Sequence, residues 1–169
     1  MNTKSQLATA DDEGRRLFFS SKTYDHNVGL STAFRQWRAP SHCRFLHGYA
    51  LSFELQFAAY DLDHLNWVVD FGSLKSLKGI LETNFDHKTL VASDDPHIEW
   101  FRQGQTLGTL DLIEVNATGC EQMARMVYDV ADIWLHDAGY SPRVFMWSVW
   151  VREHSGNGGG FTRKMLVAD

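Results

Sequence analysis

No apolar run in this sequence approaches the ~20 residues of a membrane span; the longest are short, such as Trp67-Val68-Val69. Its 2 cysteines, Cys43 and Cys120, are too few for a disulfide framework. It has no basic excess either: 16 Lys and Arg against 21 Asp and Glu give a formal charge of −5, which argues against holding a phosphate backbone. The first sixteen residues are polar and carry Asp11, Asp12 and Glu13, a pattern expected of neither a secretory nor a transit signal. What the chain does have is apolar and aromatic side chains, with 44% hydrophobic residues and 6 Trp, 11 Phe and 5 Tyr, so disorder is excluded. With 169 residues it can bury one full core without staples. The expectation is a flexible leader over 1–15 and a single cytoplasmic domain over 16–169, with no nucleic-acid or membrane partner.

Hydrophobic periodicity gives an α+β chain with a mainly antiparallel sheet, four or five strands and two solid helices. Phe45, Tyr49, Leu51, Phe53, Leu55 and Phe57 fall largely on one face against Ser52, Glu54 and Gln56, which is a period of two. The polar break Tyr60–His64 reads as a turn ending a long hairpin. Leu74, Leu77, Ile80 and Leu81 recur at helical spacing, with Asp70 or Ser73 as the cap. Pro96 to Gln103 offers one or two helical turns, and Leu110 to Val115 a strand. Glu121 to His136 is the best helix, with a stripe of Met123, Met126, Val127, Val130, Ile133 and Trp134 ended by Gly139. Val144 to Val151 is apolar on both faces and reads as a strand covered on both sides. Ser155 to Gly160 reads as a flexible turn, with a last edge strand from Phe161 to Val167.

Three segments carry side chains suited to chemistry. In Cys43-Arg44-Phe45-Leu46-His47 the cysteine is either a nucleophile beside Arg38, His42 and Arg44, whose charges would activate a thiol, or an inert core thiol. In Asp86-His87 adjacent side chains diverge along an extended stretch. The pair therefore makes sense as a proton relay only if a distant cysteine joins it, and otherwise as a helix-end cap with a surface histidine. Glu153, at the end of an apolar strand, is either solvated or aimed into a pocket, where a carboxylate can take two donors from the amidine-like edge of a heterocycle. Cys120 reads as packing.

Taken together and in this order, these segments resemble the 6-pyruvoyl-tetrahydropterin and 6-carboxy-tetrahydropterin synthases, over about Leu30 to Phe161. The resemblance rests on Cys-x3-His-Gly, Val-Val-Asp-Phe-Gly-x-Leu-Lys, Asp-His-x-x-Leu, the long helix opening at Glu121 and the terminal Val-x-Glu. It implies a T-fold, an antiparallel sheet with two helices on one face, assembled as a homo-oligomer (tetramer or hexamer) with sites between subunits. It implies a lyase acting on 7,8-dihydroneopterin triphosphate. The Cys-x3-His spacing is similar to that of the bacterial enzymes that release acetaldehyde and triphosphate on the route to 7-deazaguanine and queuosine. By position, Cys43, Asp86 and His87 match the catalytic residues, Glu153 the pterin anchor, and His47 one ligand of a zinc ion.

The match to the metal site is incomplete. Phe34 stands where the first of three zinc histidines is expected and Tyr49 where the third is expected; His26 and His42 read as surface histidines. Val91 replaces a frequent asparagine, and Gly119-Cys120 replaces a Pro-Thr lead into the long helix. Three functions follow as alternatives: a 6-carboxy-tetrahydropterin synthase, an enzyme on a related dihydropterin, or a non-catalytic pterin- or purine-binding subunit.

Overall fold

A computed structural model describes residues 16–163, so the leader expected over 1–15 and the end of the expected last strand lie outside the described residues. In chain order the strands are β1 (Phe18–Tyr24), β2 (Leu30–Phe34), β3 (His47–Ala59), β4 (Lys88–Ala92), β5 (Leu112–Val115), β6 (Val144–His154) and β7 (Asn157–Phe161). The helices are α1 (Lys75–Phe85), α2 (Ile98–Thr106) and α3 (Cys120–Asp137), with one-turn 3-10 helices at His26–Val28 and His42–Arg44.

β3 is the central strand. Its first half pairs antiparallel with β2 and its second half with β1, while β6 lies along its other side from Ser52 to Ala59. The sheet is mixed, because β2 pairs β4 and β4 pairs β5 in parallel. The expectation of a mainly antiparallel sheet holds for four of the six pairings; the parallel pairs need crossovers, and the segment read as one or two turns supplies that from β4 to β5 as the full helix α2. The polar break after Ala59 ends the long antiparallel arrangement in which β3 runs back along β1 and β2, which precede it.

The core lies between the sheet and the pair α1 and α3. Leu51, Phe53, Leu55, Phe57 and Ala59 are fully buried at alternate positions of β3, as the period of two requires. Each buried Leu or Phe among them contributes about 1.5–3 kcal/mol by leaving water. α1 adds Leu77, Leu81 and Phe85, and Phe85 packs on Phe53 at 4.6 Å between ring centroids. α1 is capped by neither candidate: Leu74 is its N-cap, and the Asp70 carboxylate instead accepts from the Gly72 N–H at 2.8 Å in the preceding turn. On α3 the stripe is turned from the expected one. Ala124, Tyr128, Ala131 and Leu135 are buried, whereas Ile133 is 63% exposed.

β6 is covered on one side within the chain. Val144, Met146, Val149 and Val151 are buried, but Phe145 and Trp147 are half-buried and Trp150 is exposed. The glycine run is not a loose turn but the strand β7. A Cβ on Gly160 would come within 2.7 Å of the Trp150 ring, and one on Gly158 within 2.7 Å of the Val151 carbonyl oxygen.

Candidate active site

The site begins where β2 and β3 pair. The register sets Thr32 opposite Tyr49 and Phe34 opposite His47. Alternation puts His47 and Tyr49 on the same face as Leu51, and so on the helix-bearing side. The three rings form one cluster: Phe34 and His47 are 4.7 Å apart, His47 and Tyr49 5.8 Å, and Phe34 and Tyr49 6.3 Å. Phe34 is fully buried beneath the other two, which are half-buried. Gly48 lies between them because a Cβ there would meet the Thr32 carbonyl oxygen at 2.9 Å. The His47 Nδ1 donates to the Phe45 carbonyl at 2.7 Å, which fixes the ring and leaves Nε2 with its lone pair in the neutral form.

Glu153 reaches this cluster by alternation along β6. Val149 and Val151 pair with Leu55 and Phe53 and are buried with them on the helix-bearing face, and Glu153 is the next residue on that face, just beyond the last β3 pair, Ser52↔Arg152, where the β6–β7 register shifts. The carboxylate of Glu153 acts on both Tyr49 and the Cys120 thiol. Burial, then the charges of Glu153 and Glu121, push the Cys120 thiol up to about 12, although the Gly159 N–H donates to the sulfur and opposes the rise. The positive end of α3 would lower a thiol pKa; here desolvation and two carboxylates outweigh it. Cys120 is therefore a neutral thiol at neutral pH, not a nucleophile. Partial burial, with Glu153, Cys43 and Cys120, also raises the Tyr49 phenol above its usual range.

Cys43 sits in the 3-10 turn His42–Arg44, half-buried, with its carbonyl accepting from the Gln36 N–H at 2.9 Å. The cations that sequence places beside it are engaged elsewhere. Arg38 pairs with Asp94 and stacks on Trp37 at 4.2 Å, and Arg44 lies 5.1 Å from the Phe45 ring centroid.

Asp86 and His87 do form a dyad by themselves, contrary to the expectation of diverging side chains. His87 has φ +56°, which turns its ring back so that Nδ1 lies 2.7 Å from Asp86 Oδ1. The same carboxylate oxygen accepts weakly from the Ser31 N–H at 3.4 Å. The His87 side chain is 84% exposed, so the dyad faces outward. Within one chain it does not meet Cys43. It lies beside Ser31, whereas Cys43 lies beside Gln36, five residues on, or about 16 Å along an extended strand.

The fold thus gathers Cys43, His47, Tyr49 and Glu153 at one end of β3 and leaves Asp86 and His87 apart. It adds two residues that sequence reading passed over. Cys120 lines the site rather than merely packing, and the His154 ring flanks Tyr49 at 6.1 Å while its Nδ1 accepts from the Gly156 N–H. Proximity of His154 to Glu153 before the glycine run was the available signal.

The donor set does not fit the implied zinc. The three ligand positions converge as the register demands, but they offer one imidazole, one phenyl ring and one phenol. Among the described residues no three or more His, Cys, Asp or Glu are placed so that they could hold a metal ion. A tetrahedral catalytic zinc needs three such ligands. His26 and His42 do not substitute: His26 bonds the Ala50 carbonyl at 2.6 Å, and His42 is an exposed residue of the 3-10 turn.

Comparison with known proteins agrees with this architecture. The curated relatives include the 6-carboxy-5,6,7,8-tetrahydropterin synthases of Rickettsia bellii, 42% identical over 57 residues, and Rickettsia conorii, 43% identical over 54. Those stretches span 33% and 31% of this chain and 41% and 39% of the relatives, so the match covers about two fifths of their length. Among solved structures, a Wolinella succinogenes protein superposes with TM-score 0.73 at 16% identity over 88% of this chain and 99% of its own. Plasmodium falciparum 6-pyruvoyl tetrahydropterin synthase superposes with TM-score 0.64 at 13% identity over 88% of this chain and 99% of its own, which shows a shared fold. Since the profile of the 6-pyruvoyl tetrahydropterin synthases also matches residues 25–163, nearly the whole described fold, the chain belongs to that family.

Proposed function

We propose that this chain is a cytoplasmic carbon–carbon lyase of the 6-carboxy-tetrahydropterin synthase type, acting on 7,8-dihydroneopterin triphosphate to release acetaldehyde and triphosphate in 7-deazaguanine and queuosine formation. The observation that carries this reading is Glu153. A strand-end carboxylate set on the helix-bearing face beside a buried thiol and a phenol suits the amide and amino edge of a pterin, which offers two donors in one plane. The short stretches shared with Rickettsia carboxy-tetrahydropterin synthases support the carboxy over the pyruvoyl outcome. With the pterin edge on Glu153, its side chain extends toward Cys43, His47 and Tyr49. Cys43 and His87, the latter oriented by Asp86, move protons at the side-chain carbons.

This requires His87 from another copy, and the chain is suited to supply one. Among the described residues the outer edges of β1 and β7 carry no strand partner, and Phe18, Phe19, Trp67 and Phe71 are exposed near β1. The dyad already points outward. We therefore place the site between subunits of a homo-oligomer, a tetramer or hexamer, which light scattering at micromolar concentration tests; a monomeric mass would refute it.

The deciding assay is product analysis with 7,8-dihydroneopterin triphosphate, using Cys43→Ala and Glu153→Ala as controls. Acetaldehyde and 6-carboxytetrahydropterin, lost in both variants, are the expected result. Cys43-dependent turnover of dihydroneopterin alone would select a related dihydropterin as substrate. The replaced metal positions favour one further reading, a non-catalytic pterin- or purine-binding subunit. It predicts binding that Glu153→Ala destroys and Cys43→Ala leaves intact.

A further inference from the structure

We propose that His47 and Tyr49 recognise the hydroxyl groups of a ligand side chain by direct hydrogen bonds, in a site built to work without a bound metal. The inference rests on the reading of Glu153 as a pterin anchor. The geometry is that of a polar pair on an apolar floor. Phe34, fully buried, lies under His47 at 4.7 Å and under Tyr49 at 6.3 Å, filling the space a third ligand would need. His47 Nδ1 is committed to the Phe45 carbonyl, so Nε2 accepts from a ligand hydroxyl. Among the described residues the Tyr49 hydroxyl has no hydrogen-bond partner, so its proton is available to a ligand oxygen. One acceptor and one donor on neighbouring rings, 5.8 Å between centroids, match two adjacent hydroxyls or a hydroxyl beside a carbonyl. A ligand lacking those oxygens leaves both groups unpaired, which is where such a site gains selectivity.

The test uses the full chain and two readouts. First, protein expressed with added zinc and then dialysed is analysed for metal: the natural chain is expected to hold well under 0.1 zinc per chain, and Phe34→His with Tyr49→His about one. Stoichiometric zinc in the natural chain overturns the proposal, and this number stands even where the double variant does not fold. Second, affinities for neopterin and for 6-methylpterin, which lacks the hydroxyls, are compared by fluorescence. The natural chain is expected to prefer neopterin about tenfold or more, and Tyr49→Phe to lose most of that preference with its melting temperature and 6-methylpterin affinity unchanged. Equal affinities in the natural chain overturn this inference while the pterin reading survives. Failure to bind either pterin overturns the pterin reading and the hydroxyl recognition that rests on it, while the zinc content still decides the metal-free claim.

Discussion

Replacing Gly159 by alanine and Gly79 by alanine makes the same chemical change in opposite surroundings, and the two should move stability in opposite directions. At Gly159 an added Cβ would stand 2.7 Å from Glu121 Cδ and 2.9 Å from the Glu121 backbone nitrogen. The exposed Glu121 side chain can swing aside, but the backbone nitrogen cannot, so β7 or the first turn of α3 must shift. Overpacking of this kind costs about 1–3 kcal/mol. At ~170 residues each kcal/mol is worth about 2–4 °C, so the melting temperature should fall by about 2–12 °C. Gly79, by contrast, lies in the interior of α1 with nothing within 4 Å of its added Cβ. Alanine there should stabilise by about 0.5–1 kcal/mol through helix propensity, raising the melting temperature by about 1–4 °C. Thermal unfolding followed by circular dichroism reads both. Gly159→Ala at or above the natural melting temperature would show that the contact between β7 and α3 is not tight, and with it would go the account of how Glu153 is held near Cys120.

Three other consequences can be checked. Native protein at pH 8 should expose one reactive thiol per chain to a chromogenic disulfide reagent, lost in Cys43→Ser, because Cys120 is 8% exposed and its pKa is pushed up to about 12. Since that pKa is raised above the ordinary thiol value of 9.0, its contribution to stability is present below pH 9 and lost as pH rises toward 12, which denaturant midpoints across that range will show in the natural chain and not in Cys120→Ala. Asp95→Ala should destabilise by about 3 kcal/mol, read from urea midpoints, because it strands a largely buried Arg35 guanidinium now 2.8 Å from a fully buried carboxylate. A change under 1 kcal/mol would mean that water already reaches Arg35.

The local pattern was enough to identify β3, α1, α3 and β6, because alternation and helical spacing are written in consecutive residues such as Leu51 to Ala59. The family resemblance singled out Cys43, His47, Asp86, His87 and Glu153 as candidate site residues and set Phe34 and Tyr49 where zinc histidines are expected. Tertiary structure decided the rest. The parallel pairing of β2 with β4 depends on a crossover whose ends are more than fifty residues apart, and no local period records it. The strand made of glycines is set by what lies over it, the Trp150 ring and the start of α3, so its composition read as a turn. The left-handed backbone of His87 is what closes the dyad that adjacent side chains would otherwise leave open. Cys120 became part of the site only when the packing of β6 and β7 on α3 brought it next to Glu153, and burial then decided that this thiol stays protonated. Sequence named the chemical groups; the sheet's register and the packing of β7 on α3 determined which of them share one pocket, since those depend on contacts between residues far apart in the chain.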